Sequence, residues 1–206
     1  MLKTSKRNQL TGDIDYTDTA IIAGLTGGIR MPNNFDTVSI EQIEQRTLKI
    51  IAENNTNFTN NTNKKIYFAG PWFDDRANAL YDSCKAIINS VNNVMVEIFY
   101  PRETDCKRPK YAFDTDVKQI KECDALLALV SRKDVGTAWE IGMAYALGKP
   151  IYLLGYDETT FLSHTNVMLA FTGKCFTIDY LGEFIKNGEL PDKHLVHIKN
   201  EWEGIE

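Results

Sequence analysis

The sequence predicts a doubly wound α/β domain built on a parallel sheet of about five strands. Two observations carry this expectation. From Lys65 onward, apolar runs at Ile66–Ala69, Val94–Phe99, Ala125–Val130, Ile151–Leu154 and Cys175–Ile178 alternate with helix-like stretches near 75–90, 112–122, 137–147 and 161–171. The runs are also nearly continuous in apolar residues, as strands covered on both faces require, and do not alternate with polar ones.

The 206 residues, 43% of them hydrophobic, suffice for one core with an appendage. No internal repeat is visible, so a flavodoxin-like catalytic domain over 64–206, preceded by an N-terminal extension over 1–63, is the simplest organisation. Within the extension, Ser39-Ile-Glu-Gln42 has the form of a capping box. Ile40, Ile43, Thr47, Ile50 and Ile51 follow at helical spacing, which predicts an amphipathic helix near 39–53 that docks on an apolar surface. Gly24-Leu-Thr-Gly-Gly28 lacks the endings of a phosphate loop and reads as a turn. The polar run Asn54–Asn63 reads as a linker, because it is too poor in apolar groups to offset the entropy of ordering. Its three Asn-x-Thr sequons count for little without an export signal.

Composition narrows the function classes. A net charge of −5 and a pI near 5.3, with no basic run interleaved with aromatics, argue against a nucleic-acid partner. No stretch approaches the roughly 20 apolar residues of a membrane span, and no signal-like apolar region follows the first residues. A cytoplasmic protein without membrane contact is expected. Cys84, Cys106, Cys123 and Cys175 form no CxxC pair, and the three histidines show no ligand spacing with them, so no metal is expected.

The chemistry is expected around Asp134-Val-Gly-Thr-Ala-Trp-Glu140, between the apolar run 125–130 and a helix. Gly136 and Thr137 suit the turn into that helix. Glu140 falls in its first turn or so, at the strand's carboxyl end, where open α/β sheets bind ligands. Two further segments should converge there: Tyr67–Arg76 after the first strand, and Asp114-Thr-Asp116. In the first, Gly70 allows close backbone approach to a ligand, while Trp72 and Phe73 could stack on a flat heterocycle or belong to the core. Asp116 can start a helix whose amino end faces the cleft. Each of Asp116, Asp134 and Glu140 could equally be an isolated surface carboxylate.

Four segments in order resemble the nucleoside 2-deoxyribosyltransferase family: Lys65-Ile-Tyr-Phe-Ala-Gly-Pro-Trp-Phe73, Asp116 with Asp124 eight residues on, Asp134–Glu140, and Asn166-Val-Met168. The tail Asn200-Glu-Trp-Glu-Gly204 is similar to the family's closing segment, and the likeness spans about 65–206. The resemblance implies exchange of bases between 2′-deoxyribonucleosides, without metal or organic cofactor, in nucleotide salvage. Glu140 would be the nucleophile at C1′, and Asp116 and Asp134 would recognise the base and carry its proton. Tyr67 would hydrogen-bond near the nucleophile, Phe73 would wall the pocket, and Asn166, with Met168 beside it, would reach a neighbouring subunit's site in a homo-oligomer. Two readings compete with this one. A hydrolase of nucleoside 5′-monophosphates would need a phosphate pocket, for which Arg76 and Ser131 are the nearest residues. A nucleotide-binding module without turnover would have no use for a nucleophile.

Overall fold

Five parallel strands lie in the order β2-β1-β3-β4-β5: β1 (Lys64–Ala69), β2 (Val96–Phe99), β3 (Ala125–Leu129), β4 (Ile151–Gly155) and β5 (Lys174–Thr177). The computed structural model describes residues 37–54, 63–91, 96–104, 107–131, 134–161 and 166–198, all within a unit spanning Asn33–Ile198. The turn expected at Gly24–Gly28, most of the Asn/Thr run, Cys106 and the closing segment from Asn200 lie outside the described residues.

Side chains alternate along each strand between two cores. Ile66 and Phe68 of β1, Leu127 and Leu129 of β3, and Leu154 of β4 face the helices α1 (Ile40–Glu53), α2 (Asp75–Ser90) and α6 (Leu181–Asn187). Tyr67, Ala69, Leu126, Ala128 and Leu153 face the other side, toward α3 (Pro109–Glu122) and α4 (Val135–Ala146). A one-residue slip in register would exchange these sets, so burial on both faces fixes the pairing Tyr67↔Leu126 and Phe68↔Leu127. The order reverses between β1 and β3. That switch point opens a crevice at the strands' carboxyl ends.

The expected strands are present within two residues of their bounds, and the sheet is the doubly wound one. The helices need three corrections. The helix expected over 112–122 begins earlier, because Pro109 occupies its first turn, where a missing N–H costs nothing. Asp116 therefore sits in mid-helix and starts nothing. Among the described residues the helix expected over 161–171 contains only the four residues of α5 (Val167–Ala170) as α-helix. The unexpected α6 ends at Gly188, whose φ of 74° suits a residue without Cβ.

In α1 the capping box is formed. Ser39 Oγ accepts from Gln42 N–H, and Gln42 Oε1 accepts from Ser39 N–H. The helix docks: Ile43, Thr47 and Ile50 are buried, and both isoleucines join the core that holds α2 and α6. Among the described residues no helix is long and apolar enough to cross a membrane.

Candidate active site

β1 and α4 deliver the two central groups. Tyr67 is fully buried, its ring stacked on Phe99 of β2 with centroids 5.5 Å apart, and its hydroxyl donates to Glu140 Oε1 over 2.6 Å. Glu140 projects from the first half of α4 toward the sheet, at the carboxyl ends of β1 and β3. Burial raises its carboxyl to about 7, against which the Tyr67 hydrogen bond acts, while the negative charges of Asp116 and Asp134 add to the rise. Burial, then the charge of Glu140, lifts the Tyr67 hydroxyl well above its ordinary value, so it stays a donor.

Asp116 reaches the same place from α3. Its charge acts on both Glu140 and Tyr67, burial raises its carboxyl to about 6, and its Oδ1 is buried without a hydrogen-bond partner among the described residues. Asp134 serves the helix itself. As the N-cap of α4, its Oδ2 accepts from Thr137 N–H over 2.6 Å and from Thr137 Oγ1 over 2.7 Å. It nevertheless stands near enough to influence Glu140. Gly136 leaves room for this cap, since a Cβ there would lie 3.2 Å from Asp134 Oδ2. Asp124, eight residues after Asp116, lies at the other end of the sheet and accepts from Lys65 N–H over 2.8 Å, tying β1 to the start of β3.

The segment after β1 packs partly into the core and partly stands in solvent. Gly70 is needed for protein packing, because a Cβ there would meet Leu129 Cβ at 3.1 Å and Tyr81 at 3.2 Å. Trp72 is half-buried and leans edge-on against Tyr81, whereas Phe73 is 73% exposed beside it. Asn166 and Met168 are both on the surface: Asn166 Oδ1 caps α5 by accepting from Met168 N–H over 2.8 Å, and Met168 is 76% exposed. Ser131, just past β3, is buried with no partner for its hydroxyl among the described residues.

Two groups flanking the cleft escape a reading of the sequence. Phe113 of α3 and Trp139 of α4 pack with ring centroids 5.6 Å apart, one turn before Asp116 and immediately before Glu140. Helical spacing places each near a carboxylate, but no sequence signal pairs residues from different helices.

A buried carboxyl held by a phenol, beside a second carboxyl of raised pKa, is an arrangement that supplies a nucleophile and an acid from one crevice. Among the described residues no group of three or more His, Cys, Asp or Glu side chains is placed to hold a metal ion. The site is thus that of a flavodoxin-like α/β protein with paired acidic groups at its switch point. Residues 66–194 match the nucleoside 2-deoxyribosyltransferase family, and the chain belongs to that family. No curated protein matches it in sequence. Among solved structures it is similar to a 2-deoxyribosyltransferase from Bacillus psychrosaccharolyticus, with 23% identity over 61% of this chain and 93% of that one and a TM-score of 0.49. A 2-desoxiribosyltransferase from Leishmania mexicana shows 29% identity over 46% and 65% of the two chains, with a TM-score of 0.38. The CMP N-glycosidase BcmB of Clostridium botulinum shows 20% identity over 59% and 94%, with a TM-score of 0.40.

Proposed function

We propose that this protein transfers a 2-deoxyribosyl group from one nucleobase to another through a covalent intermediate on Glu140. Family membership supplies the reaction class. The observation that carries the assignment of the nucleophile is the 2.6 Å hydrogen bond from the Tyr67 hydroxyl to Glu140 in the β1/β3 crevice. That bond orients the carboxyl and favours its ionised form, the form that can attack C1′ of a 2′-deoxynucleoside.

In the first displacement a Glu140 oxygen bonds to C1′ as the C1′–N bond breaks, and the electron pair leaves with the base. Negative charge developing on the base is relieved by a proton from Asp116, whose raised pKa keeps part of it protonated near neutrality. A second base then attacks C1′ through nitrogen, returns its proton to the carboxylate and frees Glu140. Two inversions retain the β configuration, as in retaining glycosidases, with a base in place of water. Asp134 acts here through α4: by capping its first turn it fixes the direction of Glu140, and its charge tunes that carboxyl.

The substrates are 2′-deoxyribonucleosides and free bases, and no cofactor takes part. The assembly is a homo-oligomer, in which exposed Asn166 with Met168 completes a neighbouring subunit's site. Incubation of the protein with deoxyinosine and adenine, followed by chromatography, tests the reading. Deoxyadenosine is the expected product. Free deoxyribose alone would mean hydrolysis, and a strict requirement for a 5′-phosphate on the donor would overturn the assignment.

A further inference from the structure

α3 and α4 start at the carboxyl ends of the strands, since α3 runs down to the start of β3 and α4 departs from its end. Their first turns therefore flank the crevice. On α3, Phe113 and Asp116 are three residues apart and share a side of the helix. On α4, Trp139 lies about 100° round from Glu140, on the side that meets Phe113. The two rings thus bridge the helices beside the two acidic groups.

Both rings are half in water, Phe113 at 51% and Trp139 at 47% exposure. Lys110 Nζ lies over the Phe113 ring at 5.4 Å, so Phe113 is held from two sides, by Lys110 and by Trp139. An indole held this way, next to the carboxyl that receives the sugar, offers a flat apolar surface to whatever planar group lies beside that sugar. The planar group in this reaction is the base.

We infer that Trp139, braced by Phe113, is a stacking platform for the nucleobase and a determinant of preference for two-ring over one-ring bases. The inference rests on the transferase reading of the same cleft. Stacking grows with the overlapped ring area and tolerates changes in hydrogen-bonding edge. A purine therefore gains more from the indole than a pyrimidine does.

The test compares wild type, Trp139→Ala and Trp139→Phe, with adenine and cytosine as acceptors and deoxyinosine as donor. For Trp139→Ala, kcat/KM for adenine should fall about tenfold or more, mostly through KM, while cytosine changes by less than about threefold. Trp139→Phe should restore much of the adenine loss. Equal losses for both acceptors, or none, would overturn the inference. So would a uniform loss accompanied by a changed sedimentation coefficient, which would assign the ring to a contact between subunits. Tryptophan fluorescence of Glu140→Gln protein titrated with adenine gives a reading independent of turnover. Quenching that disappears in the Glu140→Gln, Trp139→Ala double variant supports the platform even if wild type exchanges no base, and quenching that persists unchanged opposes it.

Discussion

The Tyr67 hydroxyl donates to Glu140 across the switch point, and this 2.6 Å bond opposes the desolvation that pushes the carboxyl up. Its removal has a definite sign. In Tyr67→Phe the carboxylate loses its donor while burial persists, so the Glu140 pKa should rise above about 7. The singly protonated pair would then hold its proton on Glu140 more of the time, so kcat/KM should drop about tenfold or more at pH 7, the scale of losing one well-placed catalytic hydrogen bond, and the alkaline limb should move to higher pH. An unmoved limb with an unchanged rate would show that the bond is only structural.

Glu140→Gln should abolish exchange yet stabilise the fold in alkaline solution. The carboxyl is raised from an ordinary 4.5 to about 7 in the folded protein. A group shifted this way favours folding below its unfolded pKa and loses that contribution as pH rises through the folded one. Replacing it with a neutral amide, which still offers an oxygen to Tyr67, removes the penalty above about pH 7 and little below about pH 4.5. Melting temperatures should therefore diverge in favour of Glu140→Gln at about pH 8 and converge at about pH 4. A variant that melts lower than wild type in the alkaline arm would contradict this linkage.

Burial raises Asp116 to about 6 and Glu140 to about 7, and the two carboxyls interact, so the pair shares its protons. Turnover needs one proton on the pair: the nucleophile ionised and the acid loaded. The expected kcat/KM profile is a bell centred between those values. In Asp116→Asn the alkaline limb should vanish, because no acid remains to be lost. The single limb that remains should belong to Glu140 and lie below about 7, since that carboxyl is relieved of a negative neighbour. Donors whose bases leave readily should suffer least. An alkaline limb that survives in Asp116→Asn would point to a different acid.

The sheet was legible because its strands are buried on both faces, and α1 because Ser39 and Gln42 announce its start. Local chemistry also explains the differences. Asp134-Val-Gly-Thr137 also has the spacing of a helix cap, a local role beside the one expected of Asp134 toward the base. Pro109 marks the start of α3 and Gly188 the end of α6, two signals that apolar periodicity alone passes over. Contacts between distant elements are not legible in the residues themselves: Tyr67 beside Glu140 is expected only through the family resemblance and Phe113 on Trp139 not at all, since nothing local to either member specifies its partner.

Asn166 spends its side-chain oxygen on the cap of α5 and stands exposed. If it completes a neighbour's site, inactive Glu140→Ala and inactive Asn166→Ala proteins should regain activity when co-assembled, because some mixed sites contain both residues. Activity that never exceeds the sum of the separate proteins, or a fully active monomer by light scattering, would remove Asn166 from that role.

Helix α1 should be needed for stability although it lies far from the chemistry in sequence. Ile43 and Ile50 are buried in the core shared with α6, each contributing about 1.5–3 kcal/mol. Arg46 adds a fork to Asp179, with its guanidinium also 4.5 Å above the Tyr156 ring, and Lys186 Nζ donates to the Asn54 carbonyl at the helix end. A domain with a typical stability of about 5–15 kcal/mol cannot lose all of this cheaply. Deleting residues 1–62 should lower the denaturation midpoint sharply and promote aggregation. Ile43→Ala should cost about 2–5 kcal/mol, and Arg46→Ala about 1 kcal/mol because the pair is partly solvated. Molecules that stay folded should keep their kcat, since Ile43 and Ile50 pack on the face of the sheet opposite to Tyr67. A truncated protein with an unchanged midpoint would show that α1 only rests on the surface.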